Sequence, residues 1–394
     1  MKTYRWIFLV LVAGIFAGCG SDSEPELVGD WQKRATKEGS GVCFAASFVI
    51  GDKGYVACGY NSYKDRLREV HAFDHTVNPN VLSGGRWAQM ADFPGIPRQQ
   101  AVGFSLPVNG KTYGFVGTGW DGNETDLKDF WRYDPDKDRT NENSEIGPDY
   151  KYPEGEHPWE AIAPLPAAAL SRRGAIAFSL EKEGKWFGYV GFGFSDYPRV
   201  EYLLDLWKFD PEGTTVGDDG EVLFGSWTKA ESGTTKRSGA AVFVLDNEAY
   251  ICSGENTSSS VSDFWVFDGD NWTSRRLMNN SNPNEDYDDD YGGLPRANGV
   301  AYVVNVEGQL RGHIVGGKAG TNASNWEYDH TADLWVQRTS FINFNKRESR
   351  QGMISFSFPD GKAFVGMGNS GTQYFDDLWE FIPMIEDYIY DDYN

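Results

Sequence analysis

The sequence predicts an all-β fold of six similar four-stranded antiparallel sheets closed into a ring, and three observations predict it. A short apolar block recurs six times, each copy is followed by a second block that ends in glycine, and tryptophan marks an outer strand once per repeat.

The stretch from Arg237 to Asp268 shows the unit most clearly. Residues 239–245 form an apolar run of small and β-branched side chains, Asp246-Asn247-Glu248 is turn-forming, and residues 249–254 form a second apolar run closed by Gly254. After a Ser-rich loop, residues 263–268 alternate as a third strand, and Trp272 begins a fourth. Copies of the first strand lie at 44–48, 100–104, 174–178, 239–243, 298–302 and 352–356. The second strand recurs at 55–59, 115–119, 189–193, 250–254, 313–317 and 364–368, and the third at 70–74, 130–134, 206–210, 264–268, 325–329 and 378–382.

Outer strands are marked by Trp87, Trp159, Trp227, Trp272 and Trp335, five tryptophans for six repeats. The sixth stands at the other end of the chain, in Gly29-Asp30-Trp31-Gln32. A ring closed by that amino-terminal segment leaves no free sheet edge to pair with other chains.

Glycine after the second strand, an aromatic-Asp third strand, a Trp fourth strand and a period near ~50 residues resemble the kelch β-propeller. The resemblance runs over residues 29–383, with blades centred near 40–90, 98–160, 172–230, 237–274, 296–340 and 350–383 plus 29–35. Only Gly316-Gly317 is a true glycine doublet, which departs from the kelch pattern and leaves the subfamily open.

Met1 to Arg5 carries Lys2 and Arg5, residues 6–16 are apolar, and Ala17-Gly18-Cys19 follows, so residues 1–18 read as a secretory signal. Phe16-Ala17-Gly18-Cys19 resembles a bacterial lipobox, which implies lipidation at Cys19; an ordinary signal peptide cut nearby is the alternative. Residues 19–28 then form a polar tether, and 384–394 an acidic tail. The expected location is the outer membrane or cell surface, held through the lipid, with the periplasmic face as the other possibility.

Removing Lys2 and Arg5 leaves 34 basic against 58 acidic residues, a formal charge of −24, which disfavours nucleic acid and anionic lipid headgroups as partners. Of the four cysteines, Cys43 and Cys58 flank a hairpin whose expected turn at Asp52-Lys53 pairs Ile50 with Tyr55 and sets Cys58 opposite Ser47. That offset is too long for a disulfide, so Cys43, Cys58 and Cys252 are expected as buried thiols.

An arginine stands two residues before five of the six first-strand blocks: Arg98, Arg172, Arg237, Arg296 and Arg350, with Val42 in the remaining repeat. Strand alternation places them on one rim of the central channel with the loops that follow each glycine. They pair either with a neighbouring blade's carboxylate or carbonyl, or with a carboxylate-bearing or otherwise anionic ligand. The kelch resemblance implies the second, because the equivalent position in ligand-binding members faces the ligand. Loops on that rim hold Tyr60, Tyr63, Trp120, Glu124, Tyr197, Glu255, Asn256, Lys318 and Asn369. Aromatic faces beside amides and carboxylates suit sugar rings, with Trp120, Tyr197 and Asn256 as expected contacts.

The acidic run 284–291 reads as a solvated loop near this rim. Calcium is the alternative, but an EF-hand count from Asp286 puts Tyr291 where glycine belongs and Ala297 where glutamate belongs. Gly117-Thr-Gly-Trp-Asp-Gly122 matches a dinucleotide fingerprint but precedes a strand rather than a helix. His71, His75, His157, His313 and His330 lack metal-ligand spacing, and His313 occupies a slot where other repeats place Tyr or Phe. No cofactor or metal is expected; the copper and tyrosine radical of galactose-oxidase-type propellers find no recognisable ligand set here.

The leading expectation is a non-enzymatic, lipid-anchored envelope protein that binds a glycan, a small anion or a protein at the channel mouth. The kelch resemblance also implies an alternative, a sugar mutarotase or epimerase acting on an acidic sugar such as sialic acid, as in the six-bladed bacterial N-acetylneuraminate mutarotase. Glu124 or Glu255 would then be the acid or base, on position alone.

Overall fold

Side chains in a strand alternate between faces, so each repeat unit buries one face against the blade before it and one against the blade after. The computed structural model describes residues 27–140, 150–217, 219–257, 259–279, 291–318, 323–341 and 349–385. Residues 1–26, on which the expected signal segment and Cys19 fall, residues 284–290 of the acidic run and the tail from 386 onward lie outside the described residues.

Six four-stranded sheets form the body of the molecule. Blade one comprises Ala46–Ile50, Lys53–Ala57, Val70–Asp74 and Arg86–Gln89. Blade two comprises Val102–Val108, Lys111–Gly117, Phe130–Tyr133 and Trp159–Ile162. In blade three, Ile176–Lys182 and Lys185–Gly191 are followed by the long Leu206–Val216 and Val222–Lys229. Blades four and five follow the same plan, with inner strands Ala241–Leu245 and Val300–Val306. Blade six takes Ile354–Ser357, Ala363–Gly366 and Leu378–Ile382 from the carboxy-terminal region and Asp30–Lys33 from the amino-terminal region. The ring is thus a six-bladed β-propeller closed by strand exchange, with Trp31 opposite Phe381.

Three sets of contacts repeat around the circle. On the outside, each tryptophan lies opposite a third-strand aromatic: Trp87 on Phe73, Trp159 on Tyr133, Trp227 on Phe209, Trp272 on Phe267, Trp335 on Tyr328. Four of these indoles, and that of Trp31 in blade six, also donate to a carbonyl of the preceding blade, from Trp31 to Thr339 at 3.1 Å, Trp87 to Ala35 at 2.8 Å, Trp159 to Ala91 at 3.2 Å, Trp227 to Ala163 at 2.8 Å and Trp272 to Glu231 at 3.1 Å. Between the blades, apolar side chains form six core clusters, each shared by two neighbours.

Nearest the axis, six backbone hydrogen bonds of 2.8–3.2 Å close a circle, running from Phe44 to Gly352, Gly352 to Asn298, Asn298 to Gly239, Gly239 to Gly174, Gly174 to Gln100 and Gln100 to Phe44. All six residues are left-handed, with φ between 54° and 61°. Glycine at three of them follows from that backbone, and a Cβ on Gly174 would also meet the Ser238 hydroxyl at 2.4 Å.

Two details depart from expectation. The first hairpin turns at Gly51-Asp52, so Ile50 pairs with Lys53 and Ser47 with Val56, because Gly51 adopts φ 57° and permits a tighter turn. Cys43 instead bridges to Tyr60; Cys43, Cys58 and Cys252 are free and buried, and burial pushes each thiol up to about 12. In blade three the third strand continues past Asp210 through a register shift, because Thr214, Thr215 and Val216 are β-branched and pair with Phe224, Leu223 and Val222.

His313 fills the aromatic slot of blade five, stacked on Tyr302 at 4.7 Å and packed edge-on to Phe381 at 5.1 Å. Its Nδ1 contacts Tyr302 Oη and Asn325 Oδ1, and Nε2 lies 3.4 Å from Glu327, which Arg338 holds in two hydrogen bonds. Burial lowers the imidazole to about 4, against the opposing pull of Glu327. The unfolded chain therefore takes up a proton that the folded chain refuses as pH falls from about 6.5 to 4, and stability drops over that window and levels below it. At 1.36 kcal/mol per pH unit the loss is roughly 3 kcal/mol. His313→Phe is expected to flatten that part of the profile of denaturation midpoint against pH; an unchanged slope would assign the acid sensitivity elsewhere.

Candidate functional site

Four of the recurring arginines pair with carboxylates, but with those of their own blade rather than of a neighbouring one, because the first-strand and third-strand entries meet at one end of each blade. Arg98, Arg172, Arg237, Arg296 and Arg350 are all buried. Arg98 makes two 2.7 Å bonds to Asp129, Arg172 two 2.8 Å bonds to Asp205, and Arg350 bonds of 2.7 and 2.9 Å to Asp377, while Arg237 pairs with Asp263. Each of these aspartates stands two residues before the third-strand tryptophan, and the indoles of Trp131, Trp207 and Trp379 donate to the same carboxylates. Burial pushes the Asp205 carboxyl up, but Arg172 and Trp207 outweigh it and hold the group below the usual carboxylate range.

A second bond explains why the arginine precedes the first strand. Arg98, Arg172, Arg237 and Arg296 each donate to the carbonyl just before the closing glycine of their own blade, at Thr118, Phe192, Ser253 and Gly316, where the chain is left-handed. Every arginine carbonyl in turn accepts the amide of the closing glycine one blade back, at 2.7–2.8 Å from Gly59, Gly119, Gly193, Gly254 and Gly317. Arg296 differs: Ser324 replaces the aspartate, its donors go to four carbonyls and the Ser324 hydroxyl, and burial lowers it to about 10. Blade one lacks the arginine and the tryptophan together, with Val42 and His71 in their places.

The rim itself carries different charges. Bridges tie Cys43 to Tyr60, Gln99 to Trp120, Arg173 to Phe194, Ser238 to Glu255 and Gln351 to Asn369, so the loops after each glycine do share one face with the segments that enter the first strands. On blades one to three those loops form a ladder. The Arg66 guanidinium lies 5.5 Å from the Tyr60 ring centroid and 4.9 Å from Trp120, and Arg173 lies 5.0 Å from Trp120 and 4.9 Å from Phe194. Phe44 stacks on Tyr60 at 6.1 Å, and Tyr202 meets Phe194 edge-on at 5.1 Å. Trp120 is therefore flanked by guanidinium groups from both neighbouring blades.

The two arginines of the ladder are not equivalent. Arg173 bonds Asp126 at 2.7 Å and Asp196 at 2.6 Å, and the Asp196 amide donates to Asp126 at 2.7 Å. Burial raises the Asp126 carboxyl despite Arg173. Arg66 donates to the Lys64 carbonyl at 2.7 Å, its Nε is buried without a hydrogen-bond partner, and no carboxylate pairs with it among the described residues.

Around the ladder, Tyr63 is 79% and Tyr197 77% exposed, and both present free aromatic faces. Tyr197 tops the hairpin Phe194–Ser195/Glu201–Tyr202, and Asn256 sits on a shorter hairpin with Ser259–Ser260. Glu255 is engaged by Lys318 at 2.9 Å and Glu201 by Lys236 and Arg199. Below the rim a cavity of about 120 Å³ lined by Phe44, Gln100, Asn298 and Met353 adjoins an Ala- and Gly-lined cavity of about 290 Å³, with Ala45, Ala101 and Ala175 common to both. Among the described residues no cluster of His, Cys, Asp and Glu could hold a metal ion, and no helix is long and apolar enough to cross a membrane.

Arg66 and Arg173 were missed because neither recurs from repeat to repeat; each becomes visible only beside Trp120 in the ring. No family model and no curated protein matches the sequence. Among solved structures the chain is similar to one described as the structure of YjhT, with 14% identity and a TM-score of 0.57, over 88% of this chain and 95% of that one. At that identity the likeness bears on the propeller fold alone.

Proposed function

We propose that the protein is a lipid-anchored, kelch-type propeller of the cell envelope that binds a glycan at the channel mouth, on the sector built by blades one to three. The observation that carries this reading is the ladder Tyr60, Arg66, Trp120, Arg173 and Phe194. Contacts that repeat around a ring serve the ring; side chains that occur once, project to the rim and surround an opening serve something else. Exposed Tyr63 and Tyr197 offer stacking faces, and Asn123 and Asn256, on other loops that follow a closing glycine, offer hydrogen-bonding groups of the kind a sugar ring requires.

A glycan array probed with the full chain, followed by titration calorimetry on the best ligand, tests the reading. Tyr63→Ala or Tyr197→Ala is expected to weaken binding about threefold to tenfold, the worth of one aromatic stacking contact. Absence of any bound glycan, or affinity unmoved by both changes, would remove the reading. NMR on the same ligands reports anomer exchange, and a rate above the uncatalysed one would turn the assignment toward an isomerase.

A further inference from the structure

Resting on the reading of this mouth as a glycan site, we infer that Arg66 is an anion-recognising subsite, and that the ligand carries one carboxylate or sulfate group placed against it. The buried guanidinium groups at the entry to the first strands, and Arg173 beside them, are already matched: Arg98, Arg172, Arg237 and Arg350 by aspartates, Arg173 by two more, and Arg296 by carbonyls. Arg66 has no such carboxylate among the described residues, in a chain of formal charge −22 where an acidic partner is easily supplied. Its one side-chain hydrogen bond runs from Nη1 to the Lys64 carbonyl; Nε is buried against the Gly122 loop, and Nη2 has no hydrogen-bond partner among the described residues and is the donor left to meet an incoming oxygen.

The surroundings fix the group rather than leave it swinging. Tyr60 and Trp120 flank the guanidinium, and Gly122 approaches so closely that a Cβ there would fall 2.3 Å from Nε and 2.4 Å from Cζ. Asp121 holds that loop by accepting the amides of Asn123 at 2.8 Å and Thr125 at 3.2 Å. A planar fork held in one orientation is suited to a planar carboxylate, with a sulfate ester as the alternative carrier of the same charge. Tyr63, three residues away on the same loop, offers a stacking face for the ring bearing that group. The strongly negative field of the molecule disfavours polyanions, so one charge on an otherwise neutral ligand is the chemistry that fits.

The test uses disaccharides that differ only at C6 of the terminal ring: hydroxymethyl, carboxylate and sulfate ester. The full chain is expected to bind a charged member about tenfold to hundredfold more tightly than the neutral one, the range for a hydrogen bond to a charged group. Arg66→Gln should erase that preference and Arg66→Lys retain part of it. Gly122→Val, which keeps the charge but displaces it, should also erase it, and thermal melts of all three would verify folding. Preference for the carboxylate over the sulfate identifies the carrier. Equal affinity for charged and neutral members, or a preference that survives Arg66→Gln, overturns the inference while leaving the glycan reading intact; failure of all three disaccharides and of the array overturns both.

Discussion

Replacing Trp31 with alanine is expected to lower the stability of the whole propeller by about 3–5 kcal/mol, the cost of emptying a large buried aromatic site. The indole is almost fully buried, lies 4.8 Å from Phe341, 4.9 Å from Phe381 and 5.9 Å from Tyr302, and donates to the Thr339 carbonyl at 3.1 Å. Its strand is also the outer edge of blade six, so loosening it exposes the unpaired edge of Leu378–Ile382. Destabilisation should therefore come with self-association, read as a shift in denaturation midpoint and as early-eluting species in gel filtration. Trp31→Phe, which keeps the ring and loses the indole N–H, should fall between parent and alanine. A Trp31→Ala protein within about 1 kcal/mol of the parent would mean that the amino-terminal strand is an accessory to the ring rather than its clasp.

The closing role of Trp31 was legible because the sequence holds one outer-strand tryptophan too few for six repeats and supplies the missing one at the far end. His313 was legible as a core residue for a similar reason, since it stands where its counterparts are aromatic. The purpose of the arginines was not. The aspartates that bind Arg98, Arg172, Arg237 and Arg350 lie 26–33 residues further on, each two places before a tryptophan. Both halves of each pair were visible, yet strand periodicity alone does not say that a first-strand entry and a third-strand entry meet at one end of a blade. The ladder was less legible still. Arg66, Trp120 and Arg173 belong to three loops, and their adjacency depends on the angle between blades, which no local pattern encodes.

The same pairing makes a test of what holds each blade's upper end. Asp205→Ala is expected to destabilise by about 3–5 kcal/mol, because it leaves the Arg172 charge buried with only the Leu170 and Phe192 carbonyls, at 3.1 and 3.2 Å, to solvate it. The consequence extends to the neighbouring blade, since the Arg172 carbonyl accepts the Gly119 amide at 2.8 Å and sits on the same displaced segment. Truncating both partners, as Arg172→Met with Asp205→Ala, removes the uncompensated charge and should recover a large part of the loss. A double-mutant cycle read by denaturant unfolding separates the terms. The sign with pH follows from the lowered Asp205 carboxyl: the stabilisation is present above the unfolded carboxylate value and fades as pH drops through the folded one, so the gap between parent and Asp205→Ala should close in acid. Additive single and double mutants would mean that the pair is not coupled, and the buried arginines would then have to be explained by their carbonyl contacts alone.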